Sequence, residues 1–127
     1  MPYKAMHTVI ETSAFLFDAR DLSHEERLEI IAAIAADPLQ GDIMPGTGGA
    51  RKRRFPGRGK GKSGGYRTVS YYAAEDVPVV LLALINKGDR ADLSKAEQNA
   101  LRERLSQFAE TYRAGVKRKI RDLRKKP

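Results

Sequence analysis

The clearest pattern along the chain is an apolar run from Val79 to Ile85 with no polar position on either face. Such a run is typical of a strand that is covered on both sides. The preceding segment, 66–72, alternates, with Arg67, Val69 and Tyr71 on one face. Because the two segments are close in sequence, we expect them to pair as an antiparallel hairpin, with 79–85 central in its sheet.

Three shorter segments add to this hairpin. Residues 7–11 are rich in β-branched side chains and predict a first strand. A brief helical turn follows, capped by Thr12 or Ser13. Residues 42–44 predict a second strand, after a turn at 37–41. The glycines at 46–49 then interrupt regular structure, because they permit positive φ at a bulge or a tight bend.

The first longer helix begins with a capping box formed by Ser23 and Glu26. It runs to about Ala36, and Pro38 ends it. We expect its apolar face to lie in the core. That face carries Leu28, Ile31 and Ala35, with Ile30 and Ile34 beside them.

A second capping box, Ser94 with Glu97, opens the longest predicted helix. Apolar side chains follow at steps of three and four: Leu101, Leu105, Phe108, Tyr112 and Val116, then Ile120 and Leu123. Residues 113–127 form a basic C-terminal extension with eight basic residues against one acidic residue. This extension is either a helix that lies on RNA or a frayed, solvated tail.

These elements predict an α/β (α+β) fold in which two to three helices pack on one face of a small, mainly antiparallel sheet of about four strands. The 127 residues suffice for one modest core, so we expect a single domain over 1–127. There are no internal repeats and no domain linker.

The most unusual stretch is Gly46 to Tyr72, which holds eight of the eleven glycines. No acidic residue lies between Asp42 and Glu75. The basic residues there are Arg51, Lys52, Arg53, Arg54, Arg58, Lys60, Lys62 and Arg67. Such a block repels itself unless an anion such as phosphate lies nearby. A solvated loop is the alternative, and the alternating glycines of 57–62 are typical of a flexible one. Because the block leads directly into a predicted strand, we favour a functional surface.

Composition narrows the partners further. The net charge of +8 and the pI of about 9.9 indicate nucleic acid, the ribosome or an acidic protein as the partner. There is no cysteine, His7 and His24 are not spaced as a metal pair, and we expect His24 on the surface. We therefore predict no metal and no cofactor. No apolar run reaches membrane-spanning length and no secretory signal is visible, so we expect a cytoplasmic protein without membrane contact.

One reaction that needs lysine and arginine but no metal, cysteine or histidine is transphosphorylation of RNA. The 2′-OH attacks the adjacent phosphate and expels the 5′-oxygen, which requires a base, an acid and positive charge on the phosphorane. Arginine clamps phosphate but is a poor base. Lysine can act as the base or the acid if crowding by other cations lowers its pKa. Lys52 has Arg51, Arg53 and Arg54 as neighbours in the sequence. The alternative is that these residues only bind backbone phosphate.

Three motifs carry a resemblance to a known family: GTGGARKRRFP, GKGKSGGYRTVSYY and VVLLALINKGDRADLS. Over residues 7 to about 112 the chain resembles the RelE/HigB-type toxins of bacterial toxin–antitoxin pairs, and most closely the HigB branch. The resemblance implies a compact RelE-like fold and ribosome-dependent cleavage of mRNA. It also implies a cognate antitoxin, a small helix-turn-helix protein encoded by the adjacent gene, and the 70S ribosome with its mRNA as partners.

The resemblance also suggests roles for individual residues. The catalytic candidates are Lys52, Arg54, Arg67 and Lys87. The RNA-binding candidates are Arg51, Arg53, Arg58, Lys60, Lys62 and Tyr71. Many relatives carry an aromatic residue near the end of the central strand, where this chain has Ile85. Tyr71 or Tyr72 would have to supply stacking instead, with core packing as the alternative use.

Two other functions share these features. A ParE-like toxin that poisons DNA gyrase would share the fold, but that class generally lacks the basic set that includes Lys52, Arg54, Arg67 and Lys87. A non-catalytic RNA-binding or ribosome-binding module would use the same basic surface without reacting.

Overall fold

Five strands and four helices make up the computed structural model, which describes residues 6–57, 65–86, 88, 90 and 92–125. The strands are β1 (Val9–Glu11), β2 (Asp42–Ile43), β3 (Arg51–Phe55), β4 (Tyr66–Tyr71) and β5 (Val79–Asn86). The helices are α1 (Ser13–Asp18), α2 (His24–Ala36), α3 (Lys95–Leu105) and α4 (Phe108–Lys125). No helix in the described part of the chain is both long and apolar enough to cross a membrane.

The sheet has the order β1-β5-β4-β3-β2 and confirms the predicted hairpin, since β4 and β5 pair antiparallel. β5 lies inside the sheet, because the short β1 pairs with it in parallel on its other side. The remaining pairs are antiparallel. The sheet has one strand more than the expected four, because Arg51–Phe55 forms a strand of its own beside β2.

The edge of β5 beyond β1 is covered by the segment that contains α1. Thr12 caps this helix as predicted, and its hydroxyl also donates to the carbonyl of Leu81 at 2.8 Å. At the other end of α1, the Asp18 carboxylate accepts from the backbone N–H of Leu84 at 3.0 Å. The short helix therefore satisfies backbone groups that a three-residue neighbouring strand leaves open.

A β-bulge in β5 changes which side chains face which side of the sheet. Val69 pairs with Ala83, whereas the next residue, Ser70, pairs with Leu81, so Leu82 is the extra residue. Leu81 packs against α1 and α2, while Leu82 and Ala83 both face the opposite side of the sheet. The bulge lets one apolar strand contribute to two cores.

Helices cover both faces of the sheet rather than the single face expected. The first core, on the side of α1 and α2, contains Phe15, Ala19, Ile30, Ile34, Tyr66, Val79, Leu81 and Leu84. The second core, on the side of α3, contains Met44, Ala50, Val69, Ile85, Leu93 and Leu105. Both capping boxes are present, at the starts of α2 and α3. In α2 the buried face centres on Ile30 and Ile34, and the prediction was wrong for Leu28, which is 47% exposed.

The predicted long C-terminal helix is divided at 106–107 into α3 and α4. The Ser106 hydroxyl donates to the carbonyl of Glu103 at 2.8 Å, a backbone contact that bends helices. Phe108 at the start of α4 packs against Tyr71, and Arg113 makes a two-pronged ion pair with Asp76. The basic extension is helical as far as Lys125, and its apolar residues Val116, Ile120 and Leu123 are exposed.

Several predictions concern residues outside the described part of the chain. The flexible glycine-rich loop at 57–62 lies there except for Gly57. So do four of the candidate basic residues, namely Arg58, Lys60, Lys62 and Lys87.

Candidate nucleic-acid interface

Three of the candidate catalytic residues share one face of the sheet. In the β3–β4 ladder Arg54 lies directly opposite Arg67, and Lys52 lies opposite Val69. Side chains of paired residues leave a sheet on the same side, so Lys52, Arg54 and Arg67 lie on the side of the second core. We call these three residues the cationic face.

The pairing of Arg54 with Arg67 puts two like charges side by side. Cβ atoms of directly paired residues are about 4.5–5.5 Å apart, and like charges in that position destabilise a sheet. Arg54 is exposed and Arg67 is half-buried, so both guanidinium groups belong to one accessible surface. Together they form a site that is electrostatically suited to a phosphate.

The other two arginines of β3 lie on the opposite face, against the segment around α2. Arg51 donates from Nη1 to the carbonyl of Leu39 at 3.0 Å, and Arg53 donates from Nη1 to that of Ala33 at 3.1 Å. The Ala33 carbonyl lies in the last turn of α2, where a cation complements the helix dipole. Arg53 also lies over the ring of Phe55, 4.9 Å from its centroid. Burial lowers the pKa of Arg53, and the charge of Asp37 opposes that shift.

This division changes the expected environment of Lys52. Of the three arginines near Lys52 in sequence, only Arg54 lies on the same face of the sheet. Its ammonium group instead donates to the Oδ2 atom of Asp92 at 2.9 Å. The crowding by Arg51, Arg53 and Arg54 that we expected around Lys52 is therefore wrong for two of its three members, because strand alternation separates them.

Asp92 is a site residue that the sequence analysis missed. It precedes the buried Leu93 and the N-cap of α3, and its Oδ1 atom accepts from the Leu93 N–H at 2.8 Å. Burial raises the pKa of Asp92, but the hydrogen bonds from Lys52 and Leu93 and the charges of Lys52 and Arg67 lower it overall. The only signal in the sequence was that two acidic residues, Asp89 and Asp92, lie between the apolar strand and the second capping box.

The glycine before the cationic face has a structural reason. Gly65 has φ of +60°, and a Cβ atom there would lie 2.2 Å from the carbonyl oxygen of Phe55. The close neighbour of Gly65 is therefore the backbone of β3. This glycine therefore lets β3 and β4 come together, which in turn brings Arg54 beside Arg67.

Tyr71 lies on the same face as Arg67, four residues along β4, or about 13 Å away. It is half-buried in the second core, with its ring centroid 6.3 Å from that of Phe108 in an edge-to-face arrangement. Tyr72 packs on the first core and on His7. Both rings have packing partners, and stacking of Tyr71 on a base stays a prediction.

The described part of the chain contains no group of three or more histidine or carboxylate side chains able to hold a metal ion. His24 lies in the exposed first turn of α2, as expected. The cationic face presents two arginines to a phosphate and one lysine whose ammonium group already donates to a carboxylate. Such a set can bind a phosphodiester and stabilise added negative charge on it.

The chain is similar to one family model and to a solved structure. The family model of the RelE toxin of the RelE/RelB toxin–antitoxin system matches residues 15–126. Among solved structures, the chain is similar to a free-state mutant of the E. coli toxin RelE in which two arginines are replaced by alanine. That match has 17% sequence identity and a TM-score of 0.48, and it covers 67% of this chain and 87% of the other.

Proposed function

Because the chain belongs to the RelE toxin family of toxin–antitoxin systems, we propose that it is a ribosome-dependent mRNA endonuclease that inhibits translation in the cytoplasm. Membership of the HigB branch is part of this proposal. The observation that carries the proposal is the cationic face, where Arg54 and Arg67 are direct cross-strand partners and Lys52 lies beside them.

In the proposed reaction the 2′-OH of the mRNA attacks the neighbouring phosphorus. The new P–O bond gives a 2′,3′-cyclic phosphate as the bond to the 5′-oxygen breaks. Arg67 and Arg54 hold the phosphate and stabilise the charge that develops on its oxygens. Lys52 is the candidate for one of the two proton transfers, and Lys87 retains its sequence-based assignment to the same site. Proton loss from the 2′-OH and proton gain by the 5′-oxygen balance the step.

The proposed need for the ribosome follows from the chemistry of these side chains. Lysine and arginine side chains are almost entirely protonated at neutral pH, so little free base is available for the 2′-OH and the rate depends on how well the substrate is oriented. The ribosome would supply that orientation by holding the mRNA. We propose no cofactor, and we expect cleavage to survive metal chelation as long as the ribosomes are kept intact by other means.

The decisive experiment follows cleavage of a defined mRNA with and without programmed ribosomes, using wild type, Arg67→Ala and Arg67→Lys. Loss of one preorganised donor costs about 3 kcal/mol, so we expect Arg67→Ala to be about a hundredfold slower. Arg67→Lys should recover only part of the rate, since an ammonium group cannot make the two-pronged contact. Arg20→Ala, which removes the same charge next to α1, should cleave as the wild type does.

Four results would argue against the proposal. Full activity of Arg67→Ala would remove Arg67 from the mechanism. Efficient metal-dependent cleavage of naked RNA would exclude the mechanism as a whole. Growth arrest with intact mRNA and damaged gyrase–DNA complexes would indicate the ParE-like function, and RNA binding without cleavage would indicate a binding module.

We further propose that the antitoxin is a small helix-turn-helix protein encoded by the adjacent gene and that it covers the surface of residues 51–67 with a segment rich in Asp and Glu. An acidic segment would match the positive charge of Arg54 and Arg67. Co-expression of the adjacent gene should restore growth, and the two proteins should co-purify. If the chain expressed alone is harmless, the toxin assignment is wrong.

A further inference from the structure

The cationic face already has an anionic neighbour in the protein itself. The Asp92 carboxylate accepts a hydrogen bond from Lys52 at 2.9 Å and lies within the electrostatic reach of Arg67. Asp92 thus interacts with two of the three cations of the cationic face, Lys52 and Arg67. Asp42 is the cross-strand neighbour of Lys52, yet the lysine forms its ion pair with Asp92.

We propose that Asp92 is a built-in competitor of RNA phosphate, which holds Lys52 in the free protein and is displaced when a phosphate binds the cationic face. The inference rests on the proposed function in that the ligand is taken to be RNA. It adds a selectivity device, because every RNA must break this ion pair before Lys52 becomes available. Breaking the ion pair costs free energy. An mRNA that the ribosome already holds in position loses little further entropy on binding, so it can break the pair more easily than a free strand can.

The geometry of the pair suits a replaceable contact. Lys52 is 25% exposed and Asp92 is 43% exposed, so water and ligands can reach the carboxylate. Exposed ion pairs change an equilibrium constant by about fivefold or less, which a phosphate bound to Arg54, Arg67 and Lys52 together can exceed. The backbone around Asp92 need not move, since Leu93 is buried and Ser94 is held by its capping box with Glu97. A change of side-chain rotamer at Asp92 is therefore enough.

The test measures binding of a single-stranded RNA that is 2′-O-methylated throughout and so cannot be cleaved, using fluorescence anisotropy over a range of salt concentrations. In Asp92→Asn the amide oxygen can still accept from the Leu93 N–H, but the carboxylate charge is gone. We expect this full-length variant to bind about two- to fivefold more tightly than the wild type. The slope of log K against log salt should steepen by about 0.7, which corresponds to one more phosphate contact on a single strand.

Asp76→Asn is the matched control. It also removes one carboxylate and frees one cation, Arg113, but at the far end of the β4–β5 hairpin. We expect it to gain much less RNA affinity than Asp92→Asn. When Asp92→Asn is added to Lys52→Ala, we expect no gain in RNA affinity, because the lysine that Asp92→Asn would release is already missing.

The proposal is wrong if folded Asp92→Asn binds RNA no better than the wild type, or if Asp76→Asn gains as much. If Asp92→Asn does not fold, the wild type gives the answer: in isotope-labelled protein the carboxyl carbon signal of Asp92 should shift when the methylated RNA binds, and an unchanged signal overturns the proposal. Because this RNA is never cleaved, these results are independent of the ribosome-dependent cleavage assay.

Discussion

Neighbouring residues of β3 have different roles because alternate side chains leave the strand on opposite faces. Lys52 and Arg54 belong to the cationic face, while Arg51 and Arg53 donate to backbone carbonyls around α2. One run of four basic residues therefore contains both a candidate reaction surface and part of the scaffold.

Alanine substitutions at Arg53 and Arg54 should separate these two roles. Arg54→Ala should reduce ribosome-dependent cleavage at least about tenfold and leave the free energy of unfolding unchanged or slightly higher, because it removes a like-charge pair with Arg67. Arg53→Ala should lower the free energy of unfolding by about 1 kcal/mol, since the Ala33 carbonyl loses one of its two donors and keeps only the N–H of Asp37, and should cleave normally. Urea unfolding and the cleavage assay measure the two effects, and equal loss of activity in both variants would contradict the division.

At this scale the sequence predicted which residue types matter but not how they are arranged. The absence of acidic residues between Asp42 and Glu75 was enough to identify the basic block. The separation of Arg53 from Arg54 needed the knowledge that β3 is a strand, and a run of charged side chains has no apolar alternation to reveal one. The contact of Lys52 with Asp92 spans forty residues of sequence, and no local pattern encodes it.

The β3–β4 pair is the element that carries the cationic face, and its geometry depends on Gly65. A side chain at this position would need a left-handed backbone, φ +60°, and would collide with the Phe55 carbonyl. The capping boxes made the starts of α2 and α3 predictable, because they satisfy backbone groups locally. The break at Ser106 was not predictable, because the apolar stripe keeps its spacing from Leu101 to Tyr112 across it.

Gly65→Ala should therefore destabilise the protein by about 2 kcal/mol or more, through backbone strain and the contact with Phe55. Gly115→Ala is the control, since Gly115 lies within α4 and a Cβ atom there would meet only the tip of Arg118 at 3.9 Å. That change should stabilise the helix by up to about 1 kcal/mol. Chemical denaturation of both variants tests the contrast, and equal stabilities would show that the tight β3–β4 approach is not required.

Across the whole molecule, segments that are distant in sequence are joined by ion pairs as well as by the two cores. In the described part of the chain such pairs join Glu11 with Arg27, Asp76 with Arg113 and Asp92 with Lys52, while Glu97 pairs with the nearby Arg90. The hydrogen bond from Arg113 lowers the pKa of Asp76, and the hydrogen bond from Arg90 lowers that of Glu97. The pair of Asp76 and Arg113 ties α4 to the β4–β5 connection.

These shifts predict a loss of thermal stability in acid. When folding lowers the pKa of a carboxylate, that group contributes its full stabilisation at any pH above its ordinary pKa. The ordinary pKa is 3.8 for Asp76 and 4.5 for Glu97. That contribution is lost as the pH falls through the lower folded-state pKa. We expect the Tm to be steady above about pH 5 and to fall below about pH 4.5. Asp76→Asn should have a lower Tm at neutral pH and a smaller further drop in acid; an identical profile would show that the Arg113 pair contributes nothing.

The parallel pairing of β1 with β5 has a consequence for how the protein is made. Residues 9–11 find their sheet partner only at 79–81, and Thr12 bonds Leu81 across the same interval. During synthesis the N-terminal strand thus has no sheet to join until most of the chain has left the exit tunnel, and contacts of such long sequence separation form slowly. Asp92 and the second-core residue Leu105 emerge later still. A nascent chain therefore lacks a complete second core until its own ribosome has translated past Leu105 and that residue has left the exit tunnel.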